Sequence, residues 1–458
     1  MHSRIQFQEA VDGKYARFCC PFIVVYSILN YAYTNGCYAV DGSLFYSSSN
    51  CFIWLILIVL LAITMHRNPK FFFISFLILG RVIPTFSQCC IWDMLRLELV
   101  RNDSHYLDIR KEIVKRAERY ASMTPLVITQ KKKTLAPDHH YYFSISPYWW
   151  YDKNGKKYIR KDGERNPKNE EYDNQKLVQL SRRLKYLSVG YYLTGDSKLF
   201  DAYVRQVRVW FVDEATKMYP NFEYAKVIPG KNGNKGSSAG LIDGYCLNDV
   251  IESFRLVSSL RDAPLDIEKP LKTWFGDLGY WLIHSWNGKK TGQAVANSSI
   301  SYDVILANIS LFVGFKETYA QISSSFRKRR LLAQIAEDGR QPEELTRTKA
   351  YSYSIYNLGH ILDYCVLQAS QKIDFYGQNK TIIDKAFDYL LFFQDKETEW
   401  PYKQITSWKT EVIKLNSLSF RRNLLRGETT ETSRSRLFNC GKVRLNDFEN
   451  DIINKVIH

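Results

Sequence analysis

Residues 337–358 read EDGRQPEELTRTKAYSYSIYNL, a polar stretch punctuated by Gly339 and Pro342 that runs into aromatic residues spaced for one helix face. This pattern predicts a loop feeding a helix, with Pro342 opening the new segment. Arg347 and Tyr353 lie six positions apart across the junction. A loop-to-helix bend there would bring a guanidinium and a phenol together. An Arg can hold a carboxylate and a Tyr can move a proton, so the pair has chemical meaning. The same residues also populate ordinary helix surfaces, and spacing alone leaves both readings open.

Working outward, the pattern from Gln88 onward is helical. Amphipathic runs fall near 106–123, 174–193, 197–211, 247–260, 271–285, 302–313, 317–335, 354–369 and 382–394, and strand-like alternation is scarce. No repeat period runs through these segments, so they predict antiparallel pairs closing into one large all-α domain, not a regular solenoid. Two connections, 144–171 and 219–243, are long and rich in Gly, Asn and charge. Long loops on a helical scaffold usually carry function. Past Thr406 the pattern weakens and 421–436 is polar and basic, so residues 411–458 read as a loosely packed tail with a last helix near 446–456.

The 458 residues can bury a substantial core, and the 31 Tyr, 26 Phe and 10 Trp are a heavy aromatic load. Most must pack; some are suited to stacking on sugar rings. The net charge is +16, and the body beyond Gln88 carries +13 once Arg67, Lys70 and Arg81 are set aside. A basic body favours a polyanion, and charge by itself does not choose between nucleic acid and an acidic polysaccharide. No recognised nucleic-acid motif is present. Six of nine cysteines lie in the first ninety residues, and neither a CxxC pair nor a Cys/His cluster appears. No metal site, cofactor or disulfide framework is expected, with a single Cys246–Cys365 bridge left open.

At the N-terminus the 14-residue apolar run 51–64 would reach about 21 Å as a helix, short of the roughly 30 Å hydrocarbon core. Directly after it, Met65 opens a signal-peptide pattern: His66, Arg67 and Lys70, an apolar stretch 71–80, and the small-residue site 85–87. The expected organisation is therefore an upstream extension 1–64 from a misassigned start, a signal 65–87, a helical body 88–410 and the tail. It implies a secreted or periplasmic protein that meets the membrane only through its N-terminal segment. A two-helix membrane hairpin is the competing reading.

Four separated stretches converge: SISPYWWYDKNGKKYIRKDGERNP (144–167), MYPNFEYAKVIPGKNGNKGSSAGLID (218–243), NSSISYDV (297–304) and QIAEDGRQPEELTRTKAYSYSIYNL (334–358). Together, and in order over about 138–408, they resemble the alginate lyase family of polysaccharide lyases. That family shows SPYWWPDP, DG-x-x-NP, an IPG loop ending in G-I-I-D, NNHGTWYDV, and DGSQPLELARTRS before a Tyr-rich helix. The resemblance implies an α/α toroid, an incomplete α/α barrel with a cleft. The implied reaction is β-elimination on a uronic-acid polymer, alginate or a related uronan, with an acidic polysaccharide as partner. It further implies that Arg347 pairs with the sugar carboxylate, the Asn297 amide supports it, and Tyr353 carries the proton. A phenol serves as base only where positive charge from Arg347 or Lys349 favours its phenolate.

The chain departs from the family where Asn-Asn-His-Gly becomes Ala296-Asn297-Ser298-Ser299, placing Ser298 where the family has His. A serine hydroxyl is no base near neutral pH. Tyr353 could act alone as base and acid, another His could substitute, or the chain could be a catalytically impaired polysaccharide-binding protein on the same fold. His139, His140 and His284 are the replacement candidates. Tyr148, Trp149 and Trp150 form a candidate sugar-stacking platform, and Tyr302 and Lys349 complete the expected substrate contacts. Asp303 reads as an orienting residue.

Overall fold

A computed structural model describes residues 39–40, 43–44, 89–92, 94–260 and 265–426. The chain divides into two units, 1–84 and 85–458. The described part of the first is two short antiparallel strands, Ala39–Val40 and Ser43–Leu44. The signal-peptide and membrane-hairpin readings and the helix expected near 446–456 fall outside the described residues.

The second unit is helical and toroid-like. Helices α1 (Met94–Asn102), α2 (Leu107–Ser122), α3 (Asp173–Thr194), α4 (Ser197–Val207), α5 (Leu247–Leu260), α6 (Leu265–His284) and α7 (Trp286–Gln293) make the first half. Helices α8 (Asn297–Val313), α9 (Lys316–Phe326), the single turn α10 (Pro342–Leu345), α11 (Ala350–Ser370), α12 (Lys380–Phe392) and α13 (Trp408–Leu425) follow. An inner row α3, α5, α8, α11 packs side by side, with α2, α4, α6, α9 and α12 outside it. The middle of α8 is buried on all sides, with every residue from Ser299 to Ser310 buried, and long stretches of α3 and α5 are buried likewise. Amphipathic periodicity therefore fades there, and it marks the outer helices better.

Helix ends follow local chemistry. Gly195 closes α3 and Gly314 closes α8, each with the left-handed backbone that glycine adopts without steric cost. The Asp196 side chain caps α4 by accepting from Lys198 N. Two runs that read as single helices, 197–211 and 317–335, each break into a π-helical turn, at Arg208–Val212 and Arg327–Leu331.

The two long connections are ordered by short strands. Strand β1 (Phe143–Ile145) pairs in parallel with β4 (Tyr224–Val227), tying the first connection to the second. Between them β2 (Trp149–Asp152) and β3 (Lys157–Arg160) form an antiparallel hairpin with Trp149 opposite Arg160. Asp243 adds to the tie, accepting from Tyr142 Oη at 3.1 Å and Ser144 Oγ at 2.9 Å and pairing with Lys226 Nζ at 3.3 Å.

Two sequence expectations are corrected here. The start of the supposed tail is helix α13, which packs on α11 with Trp408, Glu411, Leu415, Arg421 and Arg422 buried. Arg421 bonds Asp363 at 2.6 Å. Weak amphipathicity concealed this helix because it buries charged groups that find partners. Cys246 and Cys365 are free thiols, so the bridge left open by the sequence is not formed.

The turn before α8 is fixed by a buried ion pair. Asp303, fully buried, accepts from Arg330 Nε at 2.7 Å and Nη2 at 3.0 Å, and from Arg329 Nη2 at 2.9 Å. Arg330 in turn donates to the carbonyls of Gly292 at 2.8 Å and Ala294 at 3.2 Å, pinning the chain that delivers Asn297. Asp303→Ala leaves the Arg330 guanidinium buried and uncompensated. It should cost about 3–5 kcal/mol, read as a drop in thermal midpoint of roughly 10 °C. A loss below about 1 kcal/mol would show that the pair does not hold the turn.

Candidate active site

Three segments meet around the turn 344–353, and local capping explains why. Helix α8 begins at Asn297 after Ala296, which has no side-chain cap to offer. The missing acceptor comes from elsewhere: Glu344 Oε1 accepts from Asn297 N at 2.8 Å, and its Oε2 accepts from Asn297 Nδ2 at 2.6 Å. Glu344 thus caps a distant helix and aims the Asn297 amide in one step. Helix α11 repeats the arrangement. Its leading residue Lys349 provides no side-chain cap, and Gln404 Oε1 accepts from Tyr351 N at 3.1 Å and Ser352 N at 3.4 Å.

Arg347 sits three residues after Glu344 on this turn. Its guanidinium carbon lies 4.1 Å from the centroid of the Tyr353 ring, a cation–π contact. Its Nε donates to Asp162 Oδ2 at 3.1 Å and its Nη2 to Asp162 Oδ1 at 2.9 Å. The same carboxylate accepts from Thr348 N at 3.2 Å and Thr348 Oγ1 at 3.1 Å, and Thr348 Oγ1 also donates to the Asp162 carbonyl at 2.7 Å. Gly163 makes this approach possible. Its φ is +75°, and a Cβ there would lie 2.4 Å from Thr348 Oγ1. The Tyr353 phenol reaches the other loop, 2.6 Å from the Tyr148 hydroxyl, where either oxygen can donate.

Electrostatics set the resting protonation. Burial first, then the Tyr148 hydrogen bond, push the Tyr353 phenol well above the usual range, outweighing the opposing Arg347 charge. Positive charge close by is present, as the sequence required, but does not by itself yield a phenolate. Burial would raise the Asp162 carboxyl, yet the Arg347 and Thr348 hydrogen bonds and the Arg347 charge win and hold it at about 2. Burial raises the Glu344 carboxyl, and its bonds from Asn297 only partly oppose this.

The other sequence candidates are distributed as follows. Ser298 is half-buried beside Asn297 at the start of α8. Lys349 is half-buried next to Gly163. Trp149 and Trp150 follow Tyr148 and open β2, with Lys231 Nζ 4.5 Å from the Trp149 ring and Lys161 Nζ 5.2 Å from the Trp150 ring. His140 is within 2.6 Å of the Lys217 carbonyl through Nδ1 and stacks on Tyr219, while His139 lies on the surface with Nδ1 3.0 Å from the Thr129 carbonyl. His284 packs at a tilt against Tyr280, ring centroids 4.1 Å apart, at the exposed end of α6. Tyr302 is corrected: it is 7% exposed and donates to the Leu282 carbonyl at 3.0 Å, so it joins α8 to α6 instead of facing a sugar.

Sequence reasoning passed over Asp162, Glu344, Gln404 and His360. Asp162 and Glu344 both stand inside quoted motif stretches, three or fewer residues from a glycine or arginine already singled out, and that adjacency was the available signal. His360 lies two turns after Tyr353 on α11. It is buried, held 2.7 Å from Ser301 Oγ through Nδ1, and stacked on Tyr245, and burial lowers its pKa to about 4. A neutral imidazole sealed between α8 and α11 is a packing element.

The assembly offers a guanidinium with one free edge, an oriented carboxamide and a phenol pair. That set can neutralise a carboxylate and move a proton beside it. Comparisons with known proteins identify the family. The sequence model of the family described as alginate lyase matches residues 127–400. A crystal structure of an alginate lyase from Bacteroides ovatus matches with TM-score 0.70 and 33% identity, over 74% of this chain and 92% of that one. A structure of alginate lyase A1-III complexed with tetrasaccharide matches with TM-score 0.46 and 13% identity, over 72% and 88%. The search of curated proteins returned no match. The chain belongs to the alginate lyase family.

Proposed function

We propose that this polysaccharide lyase cleaves a uronic-acid polymer by β-elimination, with Tyr353 as proton carrier. The observation that carries the proposal is the convergence of Arg347, Asn297 and Tyr353 on one turn, coupled through Glu344 and the cation–π contact. In the reaction the free edge of Arg347 and the Asn297 amide neutralise the uronate carboxylate, which makes the adjacent C5 proton removable. The Tyr353 phenolate takes that proton, the C4–O4 bond breaks with C4=C5 forming, and the new Tyr353 hydroxyl returns the proton to O4. One residue on one side of the sugar then serves as base and acid, and no histidine is needed at position 298. Tyr148, 2.6 Å away, can turn to donate to the transient phenolate.

Because burial and Tyr148 hold Tyr353 protonated, the fraction of active phenolate grows with pH. kcat/KM should therefore rise through the alkaline range until the fold fails. The test is incubation of the protein with alginate, polyglucuronate and related uronans while following the ultraviolet absorbance of the conjugated unsaturated uronate. Growth of that absorbance, faster at higher pH, supports the proposal. Retained binding with no new absorbance on any uronan would instead establish the second reading, a binding protein that lost turnover with Ser298. The N-terminal signal pattern further supports a protein working outside the cytoplasm.

A further inference from the structure

We propose that Asp162 is a positioning residue that selects which edge of Arg347 meets the substrate; this rests on the lyase reading above. A guanidinium presents two edges able to grip a carboxylate with parallel hydrogen bonds, one through Nε and Nη2 and one through Nη1 and Nη2. Asp162 occupies the first with bonds of 3.1 and 2.9 Å. The remaining edge is the one left for a uronate. With the guanidinium lying over the Tyr353 ring at 4.1 Å, a carboxylate held end-on is set in one orientation relative to that phenol.

Asp162 is itself held firmly enough to do this. It receives Thr348 N and Oγ1, and Arg160 Nη2 donates to its Oδ1 at 2.7 Å. Its side chain is only 18% exposed, so the pair with Arg347 is shielded from water. A freely rotating Arg347 would spread its charge over many orientations, and only a small share of them would polarise the C5 proton toward Tyr353.

A second effect follows from charge. The ionised groups acting on the Tyr353 phenol are Arg347, which favours the phenolate, and Asp162, which opposes it; Tyr148 opposes it through its hydrogen bond. Arg160 faces Asp162 from β3. Asp162 thus aims Arg347 at the cost of a less acidic base. Removing its charge should make orientation worse and the base easier to ionise, two changes of opposite sense.

The test is Asp162→Asn, which preserves shape and the Thr348 contacts. kcat/KM should fall about a hundredfold, while the alkaline rise of the pH profile moves to lower pH by about one unit. Thr348→Val, which removes only the hydroxyl contacts to Asp162, should leave the profile in place. Nuclear magnetic resonance of the Arg347 side chain, assigned with Arg347→Lys, supplies a readout independent of turnover. The Nε–H signal should be protected from exchange in the wild-type protein and lose protection in Asp162→Ala, which removes the Oδ2 acceptor that an Asn oxygen bonded to Thr348 would still supply. An added uronic-acid trisaccharide should shift the wild-type Nη signals and leave Nε–H unmoved. A variant with reduced stability, an unshifted pH profile and unchanged Nε–H protection would overturn the proposal, as would displacement of the Nε–H bond by the trisaccharide. If the wild-type protein turns over no uronan, the lyase reading fails, and the resonance experiment still decides the role of Asp162.

Discussion

Replacing Tyr353 by Phe should lower kcat on a uronan by roughly 10³-fold or more, with KM changed less than threefold. The ring stays beneath Arg347, so the cation–π contact and the packing of α11 survive. What is lost is the single oxygen assigned both proton transfers, and general acid–base steps each contribute on the order of 10²–10⁴. The Tyr148 hydroxyl loses a partner at 2.6 Å, a cost of about 1 kcal/mol that the fold can bear. Steady-state kinetics with a binding measurement separate the two quantities. Turnover above a tenth of wild type would remove Tyr353 from the chemistry and shift attention to Tyr148 or to a histidine. Parallel losses in binding and thermal midpoint would mean that the phenol is chiefly structural.

The second large effect is expected at Glu344, a residue that need not touch the sugar. Glu344→Ala strips the acceptor from Asn297 N at the start of α8 and from the Asn297 amide together. Leaving buried donors unpartnered costs about 2–3 kcal/mol, and the freed carboxamide loses its aim. A loss of roughly a hundredfold in kcat/KM should accompany it. Glu344→Gln is the informative partner variant, because it retains an acceptor for the backbone N–H but sets its own amide N–H2 against that of Asn297. It should recover most of the stability and little of the activity. If Glu344→Gln recovered both, the carboxylate would matter only as a helix cap. If neither variant reduced activity, Asn297 would be excluded as a carboxylate support.

The two effects differ in how visible they were beforehand. Arg347, Asn297 and Tyr353 stand in motifs whose residue types suggest their chemistry, and the helical body could be traced from spacing alone. Asp162 and Glu344 carry no comparable mark. A lone carboxylate in a polar loop looks the same whether it faces water or grips a guanidinium 185 positions away. Tyr302 shows the reverse error: it belongs to a motif yet spends its hydroxyl on a carbonyl of a neighbouring helix.

The sequence by itself determined the helical class and the order of the segments, because periodicity is a local property, and through its resemblance to a family it named Arg347, Asn297 and Tyr353 as the candidate reacting groups. Tertiary structure alone decided which edge of Arg347 is free and which residue caps α8. It also decided that Tyr353 rests protonated and that α13 belongs to the body. Each of these depends on burial and on partners brought together from distant segments, and neither quantity exists until the helices have packed.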